Sequence, residues 1–90
     1  MKQLILSAAA LIAFGLPAHA ACYVDYKAKK DNPLRLHYGV AEVACGGDAA
    51  GDLSARLAAN GWTLLTILSS FDETGLAERQ QSAAEYFLRF

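Results

Sequence analysis

Few side chains in this chain are of kinds that do chemistry, and their spacing narrows them further. Beyond residue 20 the only histidine is His37, set between Arg35 and Tyr38 near a turn. An imidazole has the intrinsic pKa for general acid–base work, but it needs a nucleophile or an orienting acid that its sequence neighbours do not supply. A small hydrolase or ligand-binding enzyme using His37 is therefore the alternative reading, beside a plain exposed histidine at a strand end. Asp48 and Asp52, with Gly46, Gly47 and Gly51, have the composition of a cation loop. Their spacing departs from the Asp-x-Asp-x-Asp-Gly order of an EF-hand, and capping of a helix accounts for both carboxylates. Ser54, Ser69, Ser70 and Ser82 lack a Gly-x-Ser-x-Gly setting. No catalytic residue, metal ligand or cofactor is assigned, and the chain is read as non-enzymatic.

The remaining reactive pair is Cys22 and Cys45, the only cysteines. Residues 1–20 have the order of a secretory signal: Lys2, an apolar run from Leu4 to Leu16, then Ala18-His19-Ala20 as a small-x-small cleavage site. A membrane span needs about 20 apolar residues, so the run is too short for one, and the chain is not read as an integral membrane protein. Export puts the two cysteines in an oxidising compartment, periplasmic or extracellular, where a Cys22–Cys45 disulfide is expected. A lipid on Cys22 is the alternative; the aliphatic residue that usually stands three positions earlier is replaced by His19. Removing 20 of the 90 residues leaves 70, one small domain of the size that commonly carries a staple. Of the eight Lys and Arg, Lys2 goes with the leader, leaving seven against nine Asp and Glu. A mildly acidic balance excludes an electrostatic nucleic-acid binder.

The elements that would position these residues follow from periodicity. Cys22 to Lys29 and Leu36 to Cys45 alternate as strands about the turn cluster Lys30-Asp31-Asn32-Pro33, which predicts a hairpin. Setting Cys22 opposite Cys45 aligns Val24, Tyr26 and Ala28 with Val43, Ala41 and Gly39 on one face. It also opposes Asp25 to Glu42, so a bulge or a two-residue shift stays open. A helix begins at Asp48 or Asp52, sets Leu53 and Leu57 on one face with Arg56 and Asn60 toward water, and stops at Asn60-Gly61. From Trp62 to Ser69 both alternating rows are mostly apolar, which predicts a central strand buried on much of both faces. Trp62 itself is assigned to the core. After an Asp72–Gly75 turn, Leu76 to Ala84 reads as a short polar helix or ordered loop, and Glu85 to Phe90 as an amphipathic last strand. The resulting expectation is an α+β fold: a four-stranded, mainly antiparallel sheet of order 2-1-3-4 with one main helix on one face.

The helix ending Leu57-Ala-Ala-Asn-Gly-Trp62, running straight into an apolar strand, and the closing Tyr86-Phe-Leu-Arg89 resemble a small bacterial domain family of unknown function. That family shares a Leu-x-x-x-Gly-Trp-Glu-Leu-Val stretch; here Thr63 stands in place of its Glu and Ala58 where a Gly is common. The resemblance spans residues 22–90 and implies the fold, since the family carries no established chemistry.

Aromatic side chains carry the functional expectation. A sheet with one helix covers one face, and Tyr23, Tyr38, Tyr86 and Phe87 are candidates for a binding surface, unless such rings close the edges of the core. The alternating tail ending in Phe90 is also similar to the closing strand of an outer-membrane barrel, but such barrels need at least eight strands. The expected protein is an exported binding module that acts through a sheet face or an edge strand on an envelope protein or on itself.

Overall fold

The computed structural model describes residues 21–90, so the expected leader lies outside the described residues. Three strands, β1 (Cys22–Lys30), β2 (Arg35–Val43) and β3 (Thr63–Phe71), form an antiparallel sheet of order β2-β1-β3. Helix α1 (Ala49–Ala58) joins β2 to β3, and helix α2 (Ala77–Ala83) follows β3. The architecture is α+β.

The hairpin forms about the expected turn with its register moved by two residues: Cys22 pairs with Val43 and Asp25 with Val40. The shift removes the Asp25–Glu42 opposition. Because strand side chains repeat every two residues, it leaves every side chain on its expected face. Cys45 therefore lies beyond the ladder, and the Cys22–Cys45 disulfide, with Cα atoms 5.3 Å apart, ties the chain after β2 to the start of β1.

Asp48 is the cap of α1, accepting a hydrogen bond from the Gly51 N–H at 3.0 Å, while Asp52 lies in the first turn and pairs with Arg56 at 3.2 Å. The helix ends as its sequence predicts. Gly61 takes φ +85°, with Gly61 N–H donating to the Ala58 carbonyl and Trp62 N–H to that of Leu57. These are the paired bonds of a left-handed helix stop. Leu53 and Leu57 pack with Val24, Tyr26, Ala28, Ala41, Val43 and Trp62 in one core on one face of the sheet. At full burial each leucine contributes roughly 1.5–3 kcal/mol. Arg56 does not simply face water: its guanidinium donates to the Glu42 and Phe90 carbonyls at 2.8 and 3.1 Å.

Three expectations are corrected. The third strand is an edge, not the centre, and most of it is exposed. Its two apolar rows do not each line a buried face, because β3 slips twice against β1, between the partners of Asp25 and Tyr26 and of Lys27 and Ala28. The slips leave Leu65 and Leu68 outside the ladder, as extra residues of bulges. The fourth strand is not formed, so the sheet does not have the order 2-1-3-4. Residues 84–86 make a 3-10 turn, and Ala84 and Leu88 take φ +53° and +58°, values incompatible with an extended strand. The tail instead passes the outer edge of β2, with a single Val40–Phe87 bridge and Leu88 N–H donating to the Val40 carbonyl at 2.8 Å. Finally, the sheet is not covered on one face alone. α2 lies on the Asp25 face, opposite α1, since Arg79 reaches Asp25 there and Ala83 is fully buried.

Candidate functional site

Two polar constellations and one bare edge stand out. The first is Asp25, in the middle of β1 and only 7% exposed. Its carboxylate accepts hydrogen bonds from Ser69 Oγ (2.6 Å), Tyr38 Oη (2.8 Å) and Arg79 Nε (3.0 Å). One side chain thus joins β1, β2, β3 and α2. Burial pushes the Asp25 pKa up, but the three donors and the Arg79 charge outweigh it and hold the group below its ordinary value. The same carboxylate raises the Tyr38 hydroxyl to about 12, together with burial, which is the larger cause. Every oxygen of this group is engaged by fixed donors, which suits a structural lock rather than a group that exchanges protons. Sequence reasoning singled out Asp25 only for its opposition to Glu42. Asp25 shares its row of the alternation with Lys27 and Lys29, so no local signal marked it as buried.

The second constellation surrounds His37, also 7% exposed. Its Nε2 and the Tyr26 hydroxyl are 2.9 Å apart, its ring stacks on Tyr86 at 3.8 Å between centroids, and Trp62 meets it edge-on at 4.3 Å. Burial, then the nearby charges of Arg89 and Lys30, lower the His37 pKa against the opposing pull of Glu85. The imidazole is therefore neutral at pH 7. Burial raises the Tyr26 hydroxyl to about 12. His37 is a core residue rather than the exposed strand-end histidine expected from sequence. Outside this cluster, Lys30, Arg35, Asn60, Trp62, Tyr86, Arg89 and Phe90 line a cleft of about 190 Å³. The elements placing these side chains are the two ends of the hairpin turn, the α1 stop and the tail.

The four candidate rings do not share one surface. Tyr23 stacks on Phe71 at 6.1 Å, Tyr38 is bound to Asp25, Tyr86 covers His37, and Phe87 bridges to the β2 edge. All four are half-buried. Exposed apolar surface lies instead on β3, where Leu65 and Leu68 are 50% and 48% exposed, and near the hairpin turn at Leu34 and Leu36. No group of three or more His, Cys, Asp or Glu among the described residues is placed to hold a metal ion. No helix among them is long and apolar enough to cross a membrane.

No known protein family, characterised protein or solved structure matches the chain.

Proposed function

We propose that the chain is an exported, non-enzymatic binding module that pairs with a strand of another protein, an envelope protein or a second copy of itself, along the outer edge of β3. The observation that carries this reading is the character of that edge. Thr63–Phe71 contains no charge, no proline and no glycine, and it exposes Leu65 and Leu68. Edges that must stay unpaired are normally protected by charged residues, proline, bulges or a covering segment, and of these β3 has only its two bulges. The β2 edge has such a cover in the tail; β3 has none among the described residues. An extended segment added there would gain main-chain hydrogen bonds, with the two leucines supplying side-chain contacts.

The disulfide is compatible with export, and the resemblance to the small bacterial domain family bears on the fold rather than on a partner. The alternative use of His37 as an enzymatic base loses its support, because that imidazole is buried under Tyr86 and held against Tyr26. Light scattering of the purified oxidised protein, with capture from an envelope extract of its host, tests the proposal. Association that Leu65→Lys and Leu68→Lys abolish without lowering Tm supports it. A strict monomer that retains no envelope protein overturns it.

A further inference from the structure

The free end of the β1–β2 hairpin combines two features that the rest of the molecule keeps apart. Residues 27–36 carry Lys27, Lys29, Lys30 and Arg35 against one acid, Asp31, which pairs with Lys29 at 3.3 Å. The same stretch holds Leu34 and Leu36, which at 64% and 66% exposed stand further into water than Leu65, Leu68 or Leu88. Neither leucine belongs to the core cluster, and neither lines the clefts beside His37 and the disulfide. The hairpin register distributes these side chains around the end. Lys27, Lys29 and Leu36 lie on the Asp25 face, Lys30 and Arg35 on the α1 face, and Leu34 closes the turn between them.

The opposite end of the sheet is acidic. About 23 Å away along β1, Tyr23 pairs with Glu42 on one side and on the other with Phe71, which precedes Asp72 and Glu73. Asp48 caps α1 just beyond the disulfide. Between the ends, Arg56 is paired with Asp52 and Arg79 with Asp25. The tail beside the hairpin end is balanced: Arg89 stands against Glu85, and Phe90, which brings a carboxylate, stands against Arg56, whose guanidinium donates to its main-chain oxygen at 3.1 Å. A chain with a formal net charge of −1 is thus polarised from end to end, and its barest leucines sit at the positive end.

That combination selects the partner. An acidic protein would satisfy the cations but would need a separate apolar pocket for the leucines. A surface of anionic lipid accepts both at once: leucines enter the acyl boundary, while Lys and Arg stems lie along it with their charges among the phosphates. Its negative potential attracts one end of the molecule and repels the other, which orients the approach. We propose that the hairpin end docks the protein on an anionic lipid bilayer, with Leu34 and Leu36 inserted and Lys27, Lys29, Lys30 and Arg35 among the headgroups. The contact is peripheral, made by one turn and the strand ends beside it, and it does not use the strand pairing proposed for β3.

The oxidised protein, purified from its host, is floated with vesicles of phosphatidylcholine alone and of phosphatidylcholine with an equal part of phosphatidylglycerol. It is expected to bind the mixed vesicles, less tightly as salt screens the cations, and to leave pure phosphatidylcholine free. Leu34→Ser/Leu36→Ser should weaken binding at least about tenfold. Lys30→Gln/Arg35→Gln should weaken it about 25-fold, at about fivefold per cation. Leu34, Leu36 and Arg35 are exposed and Lys30 is half-buried, so Tm should hold in both; Lys27→Gln/Arg35→Gln repeats the charge test on wholly exposed residues. Glu42→Gln/Glu73→Gln, a charge change of the same size at the far end, should bind as wild type does. Failure to bind the mixed vesicles overturns the proposal, and so does equal binding to both kinds, which removes the role of charge. Unchanged binding in the leucine variant, with loss in the cation variants, overturns it in favour of a site for a soluble polyanion. A far-end variant that gains what the cation variants lose also overturns it, since net charge and not the hairpin end would then set the affinity.

Discussion

Replacing Asp25 by alanine should be among the most destabilising single changes on the sheet. Loss of the carboxylate removes the ion pair to Arg79 and the hydrogen bonds from Tyr38 and Ser69 at one stroke. Breaking a buried ion pair by deleting one partner costs about 3–5 kcal/mol. The lower end applies to Asp25→Ala, because the Arg79 side chain is 21% exposed, can lean toward water and keeps its bonds to Glu78 and Gly75. Arg79→Met should cost more, since the Asp25 side chain is only 9% exposed and cannot follow. At roughly 0.05–0.15 kcal/mol per residue, a domain of this size has about 3.5–10 kcal/mol in all, so either change removes a large share. With a urea slope of about 1 kcal/mol per M, the Asp25→Ala midpoint falls by about 3 M at pH 7. The folded pKa of Asp25 is depressed, so the contribution of this lock is fully present above the unfolded value of about 3.9. It is lost as pH falls through the lower folded value, and the gap between wild type and Asp25→Ala must close in that range. A midpoint change under about 1 M, an Arg79→Met milder than Asp25→Ala, or a gap independent of acid would refute the lock.

Two further outcomes test other parts of the fold. Replacing Cys22 and Cys45 by serine should cost about 3.4 kcal/mol from loop closure over their separation of 23 residues, read by thermal or urea melting; equal melting of the two forms would show that the staple is without effect. Gly39→Ala should cost about 1–3 kcal/mol, because a Cβ there would stand 2.5–2.6 Å from Tyr26 Oη and Cζ, and that ring is fully buried and bonded to His37. A Tm equal to that of wild type would mean that the ring gives way freely.

Much of the candidate site stayed hidden in the sequence for one physical reason: its contacts join residues far apart along the chain. Asp25 and Arg79 are 54 positions apart, and Arg79 sits in a segment whose composition reads as solvated. His37 has no chemically informative neighbour in sequence. Only packing brings Tyr86 and Trp62 onto its ring. The uncharged run in β3 was visible, but an apolar run of that length fits a buried central strand and an exposed edge equally well. The bulges at Leu65 and Leu68 decided between them.

What the amino-acid sequence determined by itself is everything governed by short-range geometry. The two-residue alternation assigned the faces of β1 and β2, and survived a register error of two because that error preserves side-chain direction. Asn60-Gly61 and Asp48 set the limits of α1 through the left-handed stop and the cap. The two cysteines, with the hairpin between them, settled the disulfide. Tertiary structure alone decided where the tail goes. Tyr86 and Phe90 pack on the His37–Trp62 cluster, and the tail that carries them runs beside β2 and not β3. That choice depends on a balance of burial among distant residues, which no local pattern encodes.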